Sequence, residues 1–176
     1  VVCPGDSIHV ELDFAELGKV RFSGNGAENN VKMNEFYMYY YLSHDWPSHG
    51  NYEVAADGTP VRKYKDAASL SEALKEKLAY HLSRLEAFIK EKHPSKELEV
   101  LCRKEIEADY YSRLIQGLLS YKNAGEDVSD YFRVKDAAGL FSPDCVPSNL
   151  FGLSTNMNYW LLHDLDPDEA ALMMTE

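Results

Sequence analysis

The chain has 176 residues, of which 45% are hydrophobic, and a formal net charge of −11. That apolar content supports a packed core and excludes disorder for most of the chain. The negative charge disfavours nucleic acid and anionic membranes as partners. No apolar run approaches the roughly 20 residues of a membrane-spanning helix, so no membrane insertion is expected.

The opening stretch reads as β. Ile8, Val10, Leu12 and Phe14 alternate with His9, Glu11 and Asp13, the period-two pattern of a strand with one buried face. A second strand is expected over Lys19–Ser23, with Val20 and Phe22 on one face and Ala15–Gly18 as the link. A lone hairpin is marginally stable in water. Residues 1–24 are therefore expected to be the remnant of a preceding β-domain, and 25–176 a helical domain. The start at Val1, with no initiator Met and no signal-like segment, leads to the expectation of a processed or cut N-terminus.

Helices dominate the rest. One is expected from Asn29 or Asn30 to Leu42, with an Asn as N-cap and an aromatic face of Phe36, Tyr37, Tyr40 and Tyr41. Residues 44–66 form a long loop, in which Asp57-Gly58 is expected to turn a small hairpin between Tyr52–Val54 and Val61–Tyr64. Leu70, Leu74, Leu78, Leu82, Leu85 and Ile89 then step by four or three, one stripe of a helix over Ser69–Lys92. Ser69 and Glu72 resemble a capping box, and His93-Pro94 stops the helix.

Ser95–Asn123 reads as a second long helix, its inner face marked by Leu98, Cys102, Ile106, Tyr110, Leu114, Leu118 and Tyr121. The short link makes the two an antiparallel pair. Shorter helices are expected over Ser129–Gly139, over Ser148–His163 and from Asp166, whose brevity suggests that structure is missing at that end too. The fold class is thus mainly α: an irregular helical bundle with a long antiparallel helix pair, preceded by a short N-terminal β-hairpin.

Residues that could carry chemistry are sparse. His44, Asp45 and His49 are close enough in sequence to suggest zinc ligands, but a structural site usually needs four. The plainer reading is a polar loop with Trp46 packed on the helices. Glu105 and Asp109 share a helix face, and with Arg103, Lys104 and Arg113 nearby the expectation is a solvated face. Asp164, Asp166 and Asp168 start like a calcium loop but lack its Gly at position six and its acid at position twelve. The three cysteines, Cys3, Cys102 and Cys145, include no C-x-x-C pair, and their odd number leaves at least one outside any internal bridge. Cys102 is expected to be a small buried hydrophobe. No cofactor or metal is assigned, and no catalytic residue.

Two segments carry a resemblance. Val2-Cys3-Pro4-Gly5-Asp6-Ser7-Ile8-His9-Val10, followed by Phe22-Ser23-Gly24-Asn25-Gly26-Ala27-Glu28-Asn29-Asn30, resemble the exported multidomain relatives of TlpA-type thiol-disulfide oxidoreductases. Glu107-Ala108-Asp109-Tyr110-Tyr111 and Leu118-Leu119 with Tyr121 are similar too. The resemblance implies a preceding β-sandwich and a following thioredoxin-like domain. It further implies a periplasmic or cell-envelope location, and a non-catalytic accessory role in positioning, dimerisation or partner binding. The implied partner is a protein or the parent's own redox domain, with a homodimer as one arrangement. The family's chemistry rests on a C-x-x-C pair; this sequence has none, so no catalytic residue carries over. The rival reading is an extracytoplasmic ligand- or protein-binding helical module unrelated to redox, using His44, Trp46, His49 and Tyr52 of the long loop. A self-sufficient hydrolase or metal enzyme is the third.

Overall fold

A computed structural model of the chain describes residues 5–13, 15, 20–42, 45–141 and 150–164. Strands β1 (Ser7–Leu12) and β2 (Val20–Asn25) pair antiparallel, with Ser7 opposite Asn25, Val10 opposite Phe22 and Leu12 opposite Val20. The alternation seen in the sequence therefore puts Ile8, Val10, Leu12, Val20 and Phe22 on one face. Val10 and Leu12 remain 47% and 56% exposed.

Helix α1 (Ala27–Glu35) starts two or three residues before the expected Asn. Its N-cap is Gly26, at φ 84°, a left-handed conformation that favours glycine. Glu28 and Lys32 pair one turn apart at 2.6 Å. The expected single helix to Leu42 does not form. Residues Phe36–Tyr40 make a π-helical turn, closed by the Tyr41 N–H donating to Phe36 O at 2.9 Å. The aromatic run explains the departure. An α-helix turns 100° per residue and cannot point Phe36, Tyr40 and Tyr41 into one core, whereas the wider π turn brings residues five apart into line.

The loop folds as two anchored ends with a hairpin between them. Strands β3 (Tyr52–Val54) and β4 (Pro60–Arg62) flank the Asp57-Gly58 turn, one residue earlier than expected on the second strand. Helix α2 (Ala67–Lys92) begins two residues before the expected start. Its capping box uses Asp66 and Ser69, not Ser69 and Glu72: Asp66 Oδ1 accepts from Ser69 N at 2.8 Å. The residue pairing differs because Ala67 N–H already has a partner in Glu126 Oε1, 2.8 Å away, which carries the helix start back to Ala67. His93 ends α2 in the left-handed region, as a residue before Pro94 cannot continue the helix.

Helix α3 (Lys96–Asn123) is capped by Ser95, whose Oγ accepts from Leu98 N at 3.2 Å. It runs antiparallel to α2 as expected, the pair meeting over Leu70, Leu74, Leu85, Leu98, Ile106, Leu114 and Leu118, all almost completely buried. At Gly117 the two helices come close enough that a Cβ would lie 2.3 Å from Leu70 Cδ2. Where a helix over Ser129–Gly139 was expected, turns precede a four-residue helix α4 (Val134–Ala137) and a 3-10 turn over Ala138–Phe141. Helix α5 (Leu150–Asp164) packs on α3 through Leu153, Met157 and Trp160. The expected helix from Asp166 lies outside the described residues. Among the described residues no helix is long and apolar enough to cross a membrane.

Helix α3 is therefore covered by α2, α5 and α1 together. This overturns the expectation of a solvated Glu105–Asp109 face: Glu105 is 4% and Asp109 8% exposed. The sequence shows one apolar stripe on α3, but a central helix is buried on more than one side. Cys102 is fully buried as expected, its thiol donating to Met33 Sδ at 3.7 Å.

Candidate functional site

The π turn delivers Tyr41 to Asp109. Tyr41 OH donates to Asp109 Oδ2, and Trp46 Nε1–H donates to Tyr41 OH at 3.3 Å. With its lone pair engaged by Trp46, the Tyr41 hydroxyl keeps its proton directed at the carboxylate, a chain of bonds whose members polarise one another. Burial, and the Asp109 carboxylate beside it, hold the Tyr41 hydroxyl well above the usual phenol range. Burial also pushes Tyr110, on the same helix, up to about 12.

His81 closes the back of this network. It is 1% exposed, with its ring 4.9 Å from both the Tyr41 and Trp46 rings and 5.3 Å from Tyr80. Neither ring nitrogen has a hydrogen-bond partner. Burial holds its pKa down to about 4, helped by Lys77 one turn away and opposed by Asp45. Lys77 and Asp45 themselves form an ion pair at the edge of the aromatic group.

On its other side Asp109 faces a cleft of about 460 Å³ between α3 and α5. From α3 the cleft takes Asp109, Ser112, Arg113 and Gln116; from α5 it takes Gly152, Thr155 and Asn156. Asn156 Nδ2 donates to Ser112 O at 3.1 Å and Ser112 Oγ at 2.9 Å, which fixes the side chain and leaves its carbonyl oxygen as an acceptor. Among the described residues, no aromatic or large aliphatic side chain lines the space. A smaller cleft, about 290 Å³, lies on the far side of α3 beside Glu107, Tyr111 and Asp136. Burial raises the Glu107 carboxyl there.

Of the four residues named from the long loop, the structure describes Trp46, His49 and Tyr52. Trp46 is a core residue, 4% exposed, so it serves packing rather than an outward contact. Its place follows from an aromatic ring entering the space between Tyr41, His81 and Tyr110. Tyr52 is 58% exposed on the tip hairpin. His49 is half-buried, its pKa lowered by that burial and by Arg62. His44 lies outside the described residues, as do Cys3 and Cys145. Among the described residues no three His, Cys, Asp or Glu side chains gather where they could hold a metal ion. The cleft escaped the sequence reading because its two walls are about 40 residues apart. The one available signal was a carboxylate on an otherwise core-facing helix.

The two segments that carry the family resemblance meet in space. Ser7 and Ile8 pair with Asn25 and Gly24 in the hairpin, and Asn25 Nδ2 donates to Gly5 O at 3.0 Å. A Cβ on Gly24 would lie 2.1 Å from Ser7 O, and one on Gly26 2.3 to 2.5 Å from the Asp6 carboxylate. Both glycines also have positive φ, 97° and 84°. The carboxylate of Asp6 thus sits at the N-terminus of α1, where the helix macrodipole favours negative charge. These residues build a joint between hairpin and helix. Comparison of the chain with protein-family models, with curated proteins and with solved structures finds no match.

Proposed function

We propose that this chain is a non-catalytic accessory region of an exported, multidomain thiol-disulfide oxidoreductase of the TlpA-like kind. In this reading it positions or dimerises the redox domain, or holds its protein partner, in the periplasm or cell envelope. The observation that carries the reading is the joint at Gly24 and Gly26. The resembling segments, about a dozen residues apart, meet so closely that a Cβ at Gly24 would overlap the Ser7 backbone and one at Gly26 the Asp6 carboxylate, so the resemblance follows a physical unit and not scattered identities. The half-exposed Val10 and Leu12 of the hairpin add to it. An apolar strand face of that kind is what a preceding β-domain would cover.

The reading frame encoding the chain tests this directly. It should continue into a βαβ segment with a C-x-x-C pair, and a frame lacking that pair overturns the proposal. A second test compares hydrogen exchange in the full-length product and in this chain alone. The β1 and β2 amides should exchange more slowly in the full-length product; equal rates would count against a covering β-domain.

A further inference from the structure

We propose that the hairpin of β3 and β4 is a docking arm, whose open β3 edge takes up an extended segment of a partner protein with apolar and acidic side chains on one face. The inference does not rest on the redox reading. It begins from the two edges of the hairpin, which differ. Lys63 N donates to Asn51 O at 2.8 Å, and Ala55 N donates to Thr59 O at 2.9 Å. Glu53 stands opposite Val61 between these bonded pairs. Antiparallel alternation therefore turns the main-chain groups of Tyr52, Val54, Pro60 and Arg62 outward. On the β4 edge Pro60 has no N–H to offer, which guards that edge against pairing. On the β3 edge Tyr52 and Val54 offer both N–H and C=O. An unguarded edge of this kind is a template for an added strand.

The side chains define what such a strand would carry. Tyr52, Val54, Pro60 and Arg62 share one face of the hairpin, and all four are exposed. At 77%, Val54 is the most exposed large hydrophobic residue among the described residues. Arg62 is the one charge of this strand face and forms no ion pair with a described residue. Glu53 projects from the opposite face with Val61. The base of the arm is fixed. Tyr121 OH donates to Tyr64 O at 2.7 Å, and Asn51 N donates to Ser48 O at 3.0 Å. Beyond the base, β3 and β4 pack chiefly on each other.

Charge selects the occupant. A second copy of the chain is disfavoured, because pairing Tyr52 with Val54 across two β3 edges sets Glu53 beside Glu53. Two chains of net charge −11 also repel. In a partner strand, the residue beside Tyr52 lies two strand spacings, roughly 10 Å, from Arg62. A glutamate there meets the guanidinium in a charge-assisted bond, and an apolar neighbour on the same face packs against Tyr52 or Val54. Charges are screened beyond about 8 Å at physiological ionic strength, so Arg62 outweighs the distant acidic surface at this place.

An NMR titration of the chain tests the proposal. The probe is the peptide acetyl-Thr-Glu-Thr-Val-Thr-Glu-Thr-amide, which puts both glutamates and the valine on one face of a strand. The amides of Tyr52 and Val54 should shift saturably. Lysine in place of both glutamates should weaken binding roughly tenfold or more, the loss expected for a hydrogen bond to a charged group. Arg62→Glu should reverse the preference between the two peptides. Val54→Pro removes an outward N–H while sparing the hairpin's own bonds, and should weaken binding by a similar factor. Circular dichroism and cross-strand NOEs verify that both variants keep the hairpin. The proposal is overturned if the acidic peptide does not saturate below roughly 10 mM. An unreversed preference in folded Arg62→Glu overturns it as well, as does unchanged affinity in folded Val54→Pro. Shifts of the Tyr52 and Val54 amides that follow protein concentration alone would make a second copy the occupant, and also overturn it.

Discussion

Phe36 and Tyr41 lie face to face, ring centroids 5.3 Å apart and planes 13° from parallel, although five residues separate them. In an α-helix residues five apart point about 140° from each other. The π turn narrows that angle, and the same turn carries the Tyr41 hydroxyl to Asp109. A local change of helical period thus links the N-terminal aromatic run to the central helix.

Tyr41→Phe should therefore destabilise the protein by about 1–3 kcal/mol, because it takes the hydroxyl donor from the buried Asp109 carboxylate and the acceptor from the Trp46 N–H. Combining it with Asp109→Asn in a double-mutant cycle should show strong non-additivity, since the two residues share one bond. Chemical denaturation of the four proteins measures both, and additive losses would refute the coupling.

The hairpin joint makes an equally specific prediction. Gly24→Ala and Gly26→Ala should each cost more than Gly58→Ala, which bears the left-handed backbone cost of roughly 1–2 kcal/mol alone. All three glycines have positive φ, but a Cβ at Gly58 meets nothing within 4 Å. At Gly24 it would meet backbone, which cannot rotate away. Equal melting temperatures for the three variants would show that the close approach is not required.

His81 sets a pH dependence. Its folded pKa, about 4, lies below the ordinary value of 6.5, so the unfolded chain binds the proton more readily. The stability tied to the neutral ring is fully present above about pH 6.5 and is lost as pH falls towards 4. The loss across that window is on the order of 3 kcal/mol. The groups facing the ring act in the same window: Lys77 and Arg84 oppose its protonation, and Asp45 favours it. His81→Phe keeps the aromatic packing without a titrating group. Its advantage over the parent chain should grow between pH 7 and pH 5, measured by urea denaturation. A constant difference would rule out His81 as the source.

The long loop separates two tryptophan and tyrosine roles that the sequence had grouped together. Trp46→Ala should cost about 3–5 kcal/mol, as for other buried aromatics. Tyr52→Ser, at a 58% exposed position, should stay within about 0.5 kcal/mol of the parent. Thermal unfolding distinguishes the two. Any partner binding by this loop is therefore tested at Tyr52, where a loss of binding is not confounded with a loss of fold.

The elements whose cause is local are legible in the sequence. The Leu70–Ile89 stripe follows from a 3.6-residue period, and the Ile8–Leu12 strand from a period of two. Ser95 before its helix and Asp57-Gly58 in its turn are likewise short-range chemistry, and the structure keeps them. The antiparallel pairing of α2 with α3 followed from the short link between two apolar stripes. Tertiary structure decided the rest. Whether Glu105 and Asp109 meet water depends on α1 and α5, which arrive from 70 residues upstream and 40 downstream. The π turn answers to the core its aromatics must fill, and the cleft exists only where α5 lies across α3. Burial and charge at these places are sums over distant segments, and a periodicity within one segment carries no record of them.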